Sequence, residues 1–162
     1  MQHAVQVAVG FDHCLILVAT GVVYGLGGNS HNQAAPLPVT DSLVQQPTLV
    51  AGLDSTPIST VNAGSCTSFV VSEAGELFTW GFGGQGCLAT GATDRRTGPG
   101  RVEALHSVKV HSLCGPTGLV AVATNIQTGH EEFYTWGRTC VFTSEDAPEF
   151  LLEPRRFELG LS

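Results

Sequence analysis

The sequence predicts an all-β fold: a partial β-propeller of about three four-stranded antiparallel blades. Three observations lead there. The aromatic-glycine pairs Tyr24-Gly25, Trp80-Gly81 and Trp136-Gly137 recur at a constant spacing of 56 residues, from 24 to 80 and from 80 to 136, which marks a repeat array. Each pair closes a short apolar run of β-prone residues. The 162 residues include 20 glycines and only 13% charged residues, a balance suited to short strands and tight turns rather than amphipathic helices.

The copies are laid out as residues 1–57, 58–107 and 108–162. Each opens on an alternating strand, at 5–9, 58–62 and 108–112, that runs into Gly10, Gly64 or Gly115. Glycine at such a bend permits positive φ or a close backbone approach. A second strand follows at 14–19, 69–72 and 119–124. Its nearly continuous apolar character implies burial on both faces. Thr20-Gly21 and Ala74-Gly75 then supply hairpin turns into the strands ending at the aromatic-glycine pairs, and the third copy has a longer polar excursion over 125–132. Each copy closes with a proline-led segment, at Pro47, Pro99 and Pro154. Proline lacks the N–H that a ladder needs, so these segments are placed as edge strands or strand starts. Four strands with one at an exposed edge is the arithmetic of a propeller blade.

These residues resemble the regulator of chromosome condensation repeat family. Its blades carry a glycine, often a His soon after, a G-x-V/L-[FY]-x-W-G run and a glycine-rich G-Q-L-G turn. Gly10-Phe11-Asp12-His13 resembles the first element, and Gly75-Glu76-Leu77-Phe78-Thr79-Trp80-Gly81 followed by Gly84-Gln85-Gly86-Cys87-Leu88 resembles the rest. In the first copy Tyr24 stands for the tryptophan, and Trp136-Gly137 in the third lacks the glycine turn. The repeat signature is thus Gly10, His13, Tyr24, Gly25, Gly64, Gly75, Trp80, Gly81, Gly115, Trp136 and Gly137. The resemblance implies closed seven-bladed rings, so three copies read as an incomplete array: part or a divergent product of a longer propeller, an array whose open edges are covered by a partner or another copy, or one capped by an atypical third blade and tail. It also implies a second functional reading, a guanine-nucleotide exchange factor or regulator of a small GTPase.

Charge narrows the partners. The net charge is −7 and no Lys or Arg precedes Arg95, so direct binding of nucleic acid, which requires cations to displace phosphate counterions, is not expected. Five cysteines without a CxxC pair suggest neither a disulfide scaffold nor a zinc ribbon. A reducing, intracellular setting in cytoplasm or nucleus is expected. The opening MQHAVQVAVG lacks the pattern of a secretory signal, and the apolar runs are too short for a helical membrane span.

Candidate chemistry is sparse. Gly81-Phe82-Gly83-Gly84-Gln85-Gly86 is a literal GxGxxG, yet a dinucleotide loop needs a helix behind it, and 87–100 has no helical period. His13 beside Cys14 could suggest a thiol nucleophile, but neighbours on a strand point to opposite faces. His13 is expected instead to be buried, its ring bonded to the backbone of the next blade, and Cys66, Cys87, Cys114 and Cys140 to be small core or turn residues. No catalytic residue, metal site or cofactor is expected. The sequence therefore points to a non-enzymatic protein-protein interaction module, with enzymes using the glycine-rich loop or a Cys/His site as the remaining class. The long connections 27–46 and 83–98 carry the candidate partner-contact residues Asn29, His31, Asn32, Gln85, Arg95 and Arg96.

Overall fold

A computed structural model describes residues 3–36, 42–138 and 149–158. Twelve strands form three four-stranded sheets. The first holds β1 (Ala4–Val9), β2 (His13–Val18), β3 (Val23–Gly28) and β4 (Leu43–Leu49). The second holds β5 (Ile58–Ala63), β6 (Thr67–Ser72), β7 (Leu77–Gly81) and β8 (Arg96–Arg101), and the third β9 (Val108–Cys114), β10 (Gly118–Asn125), β11 (Glu131–Arg138) and β12 (Phe150–Phe157). Strand order in every sheet follows the chain, and all neighbours are antiparallel. This is the all-β, partial-propeller architecture expected from the repeats.

Two apolar layers join the sheets. Leu15, Leu17 and Val23 of the first sheet meet Ile58, Val61, Val70 and Trp80 of the second, closed from one end by Val50 and Leu53. Phe69, Val71 and Leu77 of the second meet Val108, Val110, Leu119, Ala121 and Trp136 of the third. Successive residues of a strand therefore serve successive interfaces. Burial on both faces, expected for all three second strands, holds for β6 alone, whose six residues are all buried. Among the described residues only the middle sheet has a neighbour on each side, and β2 and β10 largely alternate between buried and half-exposed residues.

The register corrects the first copy. His13 pairs with Gly27 as Thr67 pairs with Gly81 and Gly118 with Gly137. All three glycines have positive φ, at +100°, +100° and +73°, and the pairing of the outer strands slips just before each. Leu26-Gly27, not Tyr24-Gly25, thus occupies the Trp-Gly position, and Tyr24 stands where Phe78 and Tyr134 stand. The spacing of 56 residues holds from 81 to 137 and shortens to 54 from 27 to 81. The backbone requires the glycine; the bulky neighbour is required only where another sheet packs over it.

Two smaller differences have equally local causes. The outer strands begin before their prolines, at Leu43, Arg96 and Phe150, because an edge strand tolerates a missing donor on its solvent side. The third-copy excursion is narrower than its sequence span: β10 continues to Asn125 and β11 starts at Glu131, leaving a turn over 126–130 in which Asn125 Oδ1 accepts from the Gln127 and Thr128 amides. The turns between first and second strands are tied from sheet to sheet, Phe11 N–H donating to Ser65 O at 3.1 Å and Ser65 N–H to Pro116 O at 3.0 Å.

Candidate functional site

The conserved order of strands puts the turns after β1, β5 and β9 and the connections after β3 and β7 at one end of the array. The strand ends that lead into these connections are anchored to their own sheets, as is the end of β11: Gly28 N–H donates to Asp12 O at 2.6 Å, Phe82 N–H to Cys66 O at 2.9 Å, and Arg138 N–H to Thr117 O at 3.2 Å. A rigid interior thereby presents irregular backbone, the arrangement on which binding residues usually sit.

At the junction of the first two sheets a buried network holds that end together. Trp80, fully buried, donates through Nε1 to Gln33 O at 2.9 Å. Ser68 Oγ donates to the same carbonyl at 2.6 Å. With its one proton so committed, Ser68 Oγ accepts from His13 Nε2–H at 3.0 Å. Trp136 repeats the motif at the next junction, its Nε1 donating to Cys87 O at 3.1 Å. His13 therefore binds a side chain of the neighbouring blade, Ser68, with the Thr67 backbone of the same strand also interacting with its ring.

Asp12, His13 and Ser68 consequently adjoin, an arrangement that the sequence conceals because Ser68 lies far along the chain. The geometry does not activate a nucleophile. Ser68 is fully buried and gives its proton to a carbonyl, and His13 Nδ1 lies 3.8 Å from Asp12 Oδ1, beyond hydrogen-bonding range. Burial pulls the His13 pKa below 6.5 against the opposing pull of Asp12. The neutral ring is thus favoured in the folded state, so stability present above about pH 6.5 is lost as pH falls toward the folded-state pKa. We expect chemical denaturation at pH 7.5 and 5.5 to show a larger acid-side loss for the native chain than for His13→Gln. Equal losses would remove His13 as the source.

Of the partner-contact candidates, two turn inward. Asn29 and Asn32 are 3% and 1% exposed, and Asn29 Oδ1 accepts from the Ala34 and Ala35 amides, both at 3.0 Å. They shape the loop from within, as short polar side chains do in turns. Arg96 folds back on its own strand, NH1 donating to Gly100 O at 2.7 Å. His31, Gln85 and Arg95 reach the surface at least in part. His31 packs on Phe82 of the next sheet's loop, with ring centroids 5.0 Å apart, and Arg95 NH1 donates to Ser30 O at 3.3 Å. Phe82 and the 85% exposed Phe11 belong to the same end. Their signal was an aromatic side chain set beside glycine in a turn, where no strand pattern calls for one.

Elsewhere the polar chemistry is inward-looking. The glycine-rich loop ends in a three-residue 3-10 turn, Gly84–Gly86, which offers no helix start for a pyrophosphate. Among the described residues no group of three or more metal-ligating side chains gathers. Burial raises the Cys14, Cys66 and Cys87 thiols above their ordinary pKa, and Cys140 lies outside the described residues. Glu132 is held by Tyr134 Oη at 2.7 Å, Asn125 Nδ2 at 3.2 Å and Arg156 at 3.1 Å. Shielding by burial and this carboxylate push Tyr134 up to about 12.

Comparison with known proteins assigns the repeat. Two profiles of the Regulator of chromosome condensation (RCC1) repeat match residues 74–122 and 4–33. The chain belongs to the regulator of chromosome condensation repeat family. The first match runs from the turn before β7 through β10, so one sequence repeat of this family straddles two sheets. RCC1-repeat relatives include the human "Probable E3 ubiquitin-protein ligase HERC3", 31% identical over 96% of this chain and 14% of the relative. The bovine "Secretion-regulating guanine nucleotide exchange factor" is 33% identical over 85% of this chain and 30% of its own length. The chain thus spans less than a third of either. Human WBSCR16 shares the fold with a TM-score of 0.79 at 19% identity, over 98% of this chain and 40% of that one. Yeast RCC1 (Prp20), in a crystal structure with Kap60, gives 0.76 at 20% identity over 96% and 37%.

Proposed function

We propose that these RCC1-type blades form a non-enzymatic protein-interaction module that holds its partner on the loop end of the first two sheets. The observation that carries this reading is the cross-sheet pair His31–Phe82, with Arg95 reaching the neighbouring loop. Two loops from different repeats are locked into one surface by the Trp80–Gln33–Ser68–His13 network beneath it. Exposed aromatic and arginine side chains on rigid backbone are the residue types that carry most binding energy at interfaces. The free face of the first sheet, with Val5, Val7 and Val9 exposed, is covered in this reading by a partner or another copy.

A second reading, regulation of a small GTPase, is favoured by the likeness to the bovine exchange factor. The fold alone does not carry an activity, so the two readings are separated by assay. Nucleotide release from a panel of small GTPases is measured with the native chain and with a Phe82→Ala/Arg95→Glu double variant. Acceleration that the variant loses by tenfold or more supports the exchange reading; no acceleration at micromolar protein removes it. The interaction reading itself expects proteins captured from extract by the native chain to be lost with the double variant, whose fold is unchanged by circular dichroism. An identical set of captured proteins would overturn it.

A further inference from the structure

The opposite end of the array carries a cavity of about 330 Å³ beneath the first sheet. Its walls are mainly apolar, with Val22, Val23, Leu49, Val50, Leu53 and Pro57, and Thr20, Ser55 and Thr56 add polar atoms to the lining. Thr56 N–H donates to Leu53 O at 2.9 Å and Gly52 N–H to Asp54 Oδ2 at 3.3 Å, so the connection from β4 to β5 is held in an open loop. The second sheet shows what the same place looks like when partly filled. There the connection over 102–107 winds through a 3-10 turn, Glu103–Leu105, with Leu105 buried. Its cavity is about 190 Å³ and is lined by Arg101, His106 and Ile126 of the following sheet. The first connection, over 50–57, is longer, makes no such turn and leaves the space open.

Charge distinguishes the two places further. Asp54 stands exposed on the rim of the larger cavity, and the exposed Glu73 is tied to the cavity wall through its backbone, its N–H bonded to Pro57 O at 2.9 Å. No Lys or Arg occurs before Arg95. Of the cations at this end, Arg101 pairs with Glu76 at 3.1 Å, and Lys109 sits against Gly75 at the junction with the third sheet. An apolar hole at the lower limit of small-molecule pockets, about 300 Å³, with acids and no cation at its mouth, suits one side chain of a peptide.

We propose that this cavity binds a peptide segment of a partner protein, taking one leucine or phenylalanine into the apolar walls while flanking lysines or arginines face Asp54 and Glu73. The site is separate from the loop surface at the other end, so each can fail alone. The probe is a dye-labelled nonapeptide with a central leucine between lysines, titrated with the native chain by fluorescence anisotropy. Saturable binding is expected. Replacing the central leucine by serine weakens it at least about tenfold through lost apolar burial. Replacing the lysines by glutamates weakens it about fivefold or more, in line with exposed charge pairs acting together. Asp54→Lys, at an exposed position, matches the latter loss; Val22→Phe, which fills the cavity, abolishes binding; Phe82→Ala changes nothing. No saturable binding by the native chain, indifference to the flanking charge, or undiminished binding by Asp54→Lys and Val22→Phe would each overturn the proposal.

Discussion

Trp80→Ala is expected to remove about 3–5 kcal/mol of folding stability, the range for deleting a large buried aromatic side chain. The indole is fully buried between the first two sheets, against Leu15, Leu17 and Val23. Its Nε1–H also leaves Gln33 O, which then keeps only the Ser68 hydroxyl. Domains commonly hold only about 5–15 kcal/mol in total, so the loss is a large share. Because repeat arrays are stabilised by nearest-neighbour interfaces, the first sheet should uncouple: urea unfolding followed by circular dichroism separates into two transitions. Trp80→Phe restores most of the packing and should lose about 1–2 kcal/mol, the hydrogen bond and residual void together. A loss below about 1 kcal/mol for Trp80→Ala would mean that this interface does not hold the sheets together.

Gly81→Ala comes next in expected effect. Gly81 has φ +100°, a conformation costing side-chain-bearing residues about 1–3 kcal/mol. An added Cβ would also stand 2.5 Å from Cys66 O and 3.2 Å from Thr67 Cα. Cys66 O cannot retreat freely because it accepts from Phe82 N–H at 2.9 Å. Steric overpacking adds about 1–3 kcal/mol, and the same displacement loosens the loop that carries Phe82. Gly129→Ala is the matched control: φ is +71° there, but nothing lies within 4 Å of the added carbon. It should cost only the backbone preference, about 1–2 kcal/mol. Equal melting-temperature shifts for the two variants would show that the close approach at Gly81 carries no energy.

Local chemistry explains which elements were legible beforehand. Alternation at 58–62 and 108–112, glycine at the bends, and Leu77–Gly81 could be read because strand period and turn preference act within a few residues. In the first repeat the aromatic residue of Tyr24-Gly25 lies off the Trp-Gly position, so an aromatic side chain is not the marker of the repeat. The feature common to all three repeats is the positive-φ glycine, at Gly27, Gly81 and Gly137, and Leu26 beside the first is only half-buried, on the open face of its sheet. Asn29 illustrates the reverse: a polar loop residue that reads as outward-facing is buried because it satisfies the Ala34 and Ala35 amides of its own long connection.

By itself the amino-acid order determined the strand count, the repeat family, the unusual acidity of the first 94 residues and the connections that form the loop end. Period, turn chemistry and composition are properties of neighbouring residues, and these suffice for such conclusions. Only the tertiary structure decided that Ser68 and Gln33 share a network with His13 and Trp80, that His31 meets Phe82, and that the 50–57 connection leaves a larger cavity than the 102–107 connection does. Each of these depends on which residues of one sheet come to face those of the next. That is set by how twisted sheets stack and by where register slips, over separations that no local pattern encodes.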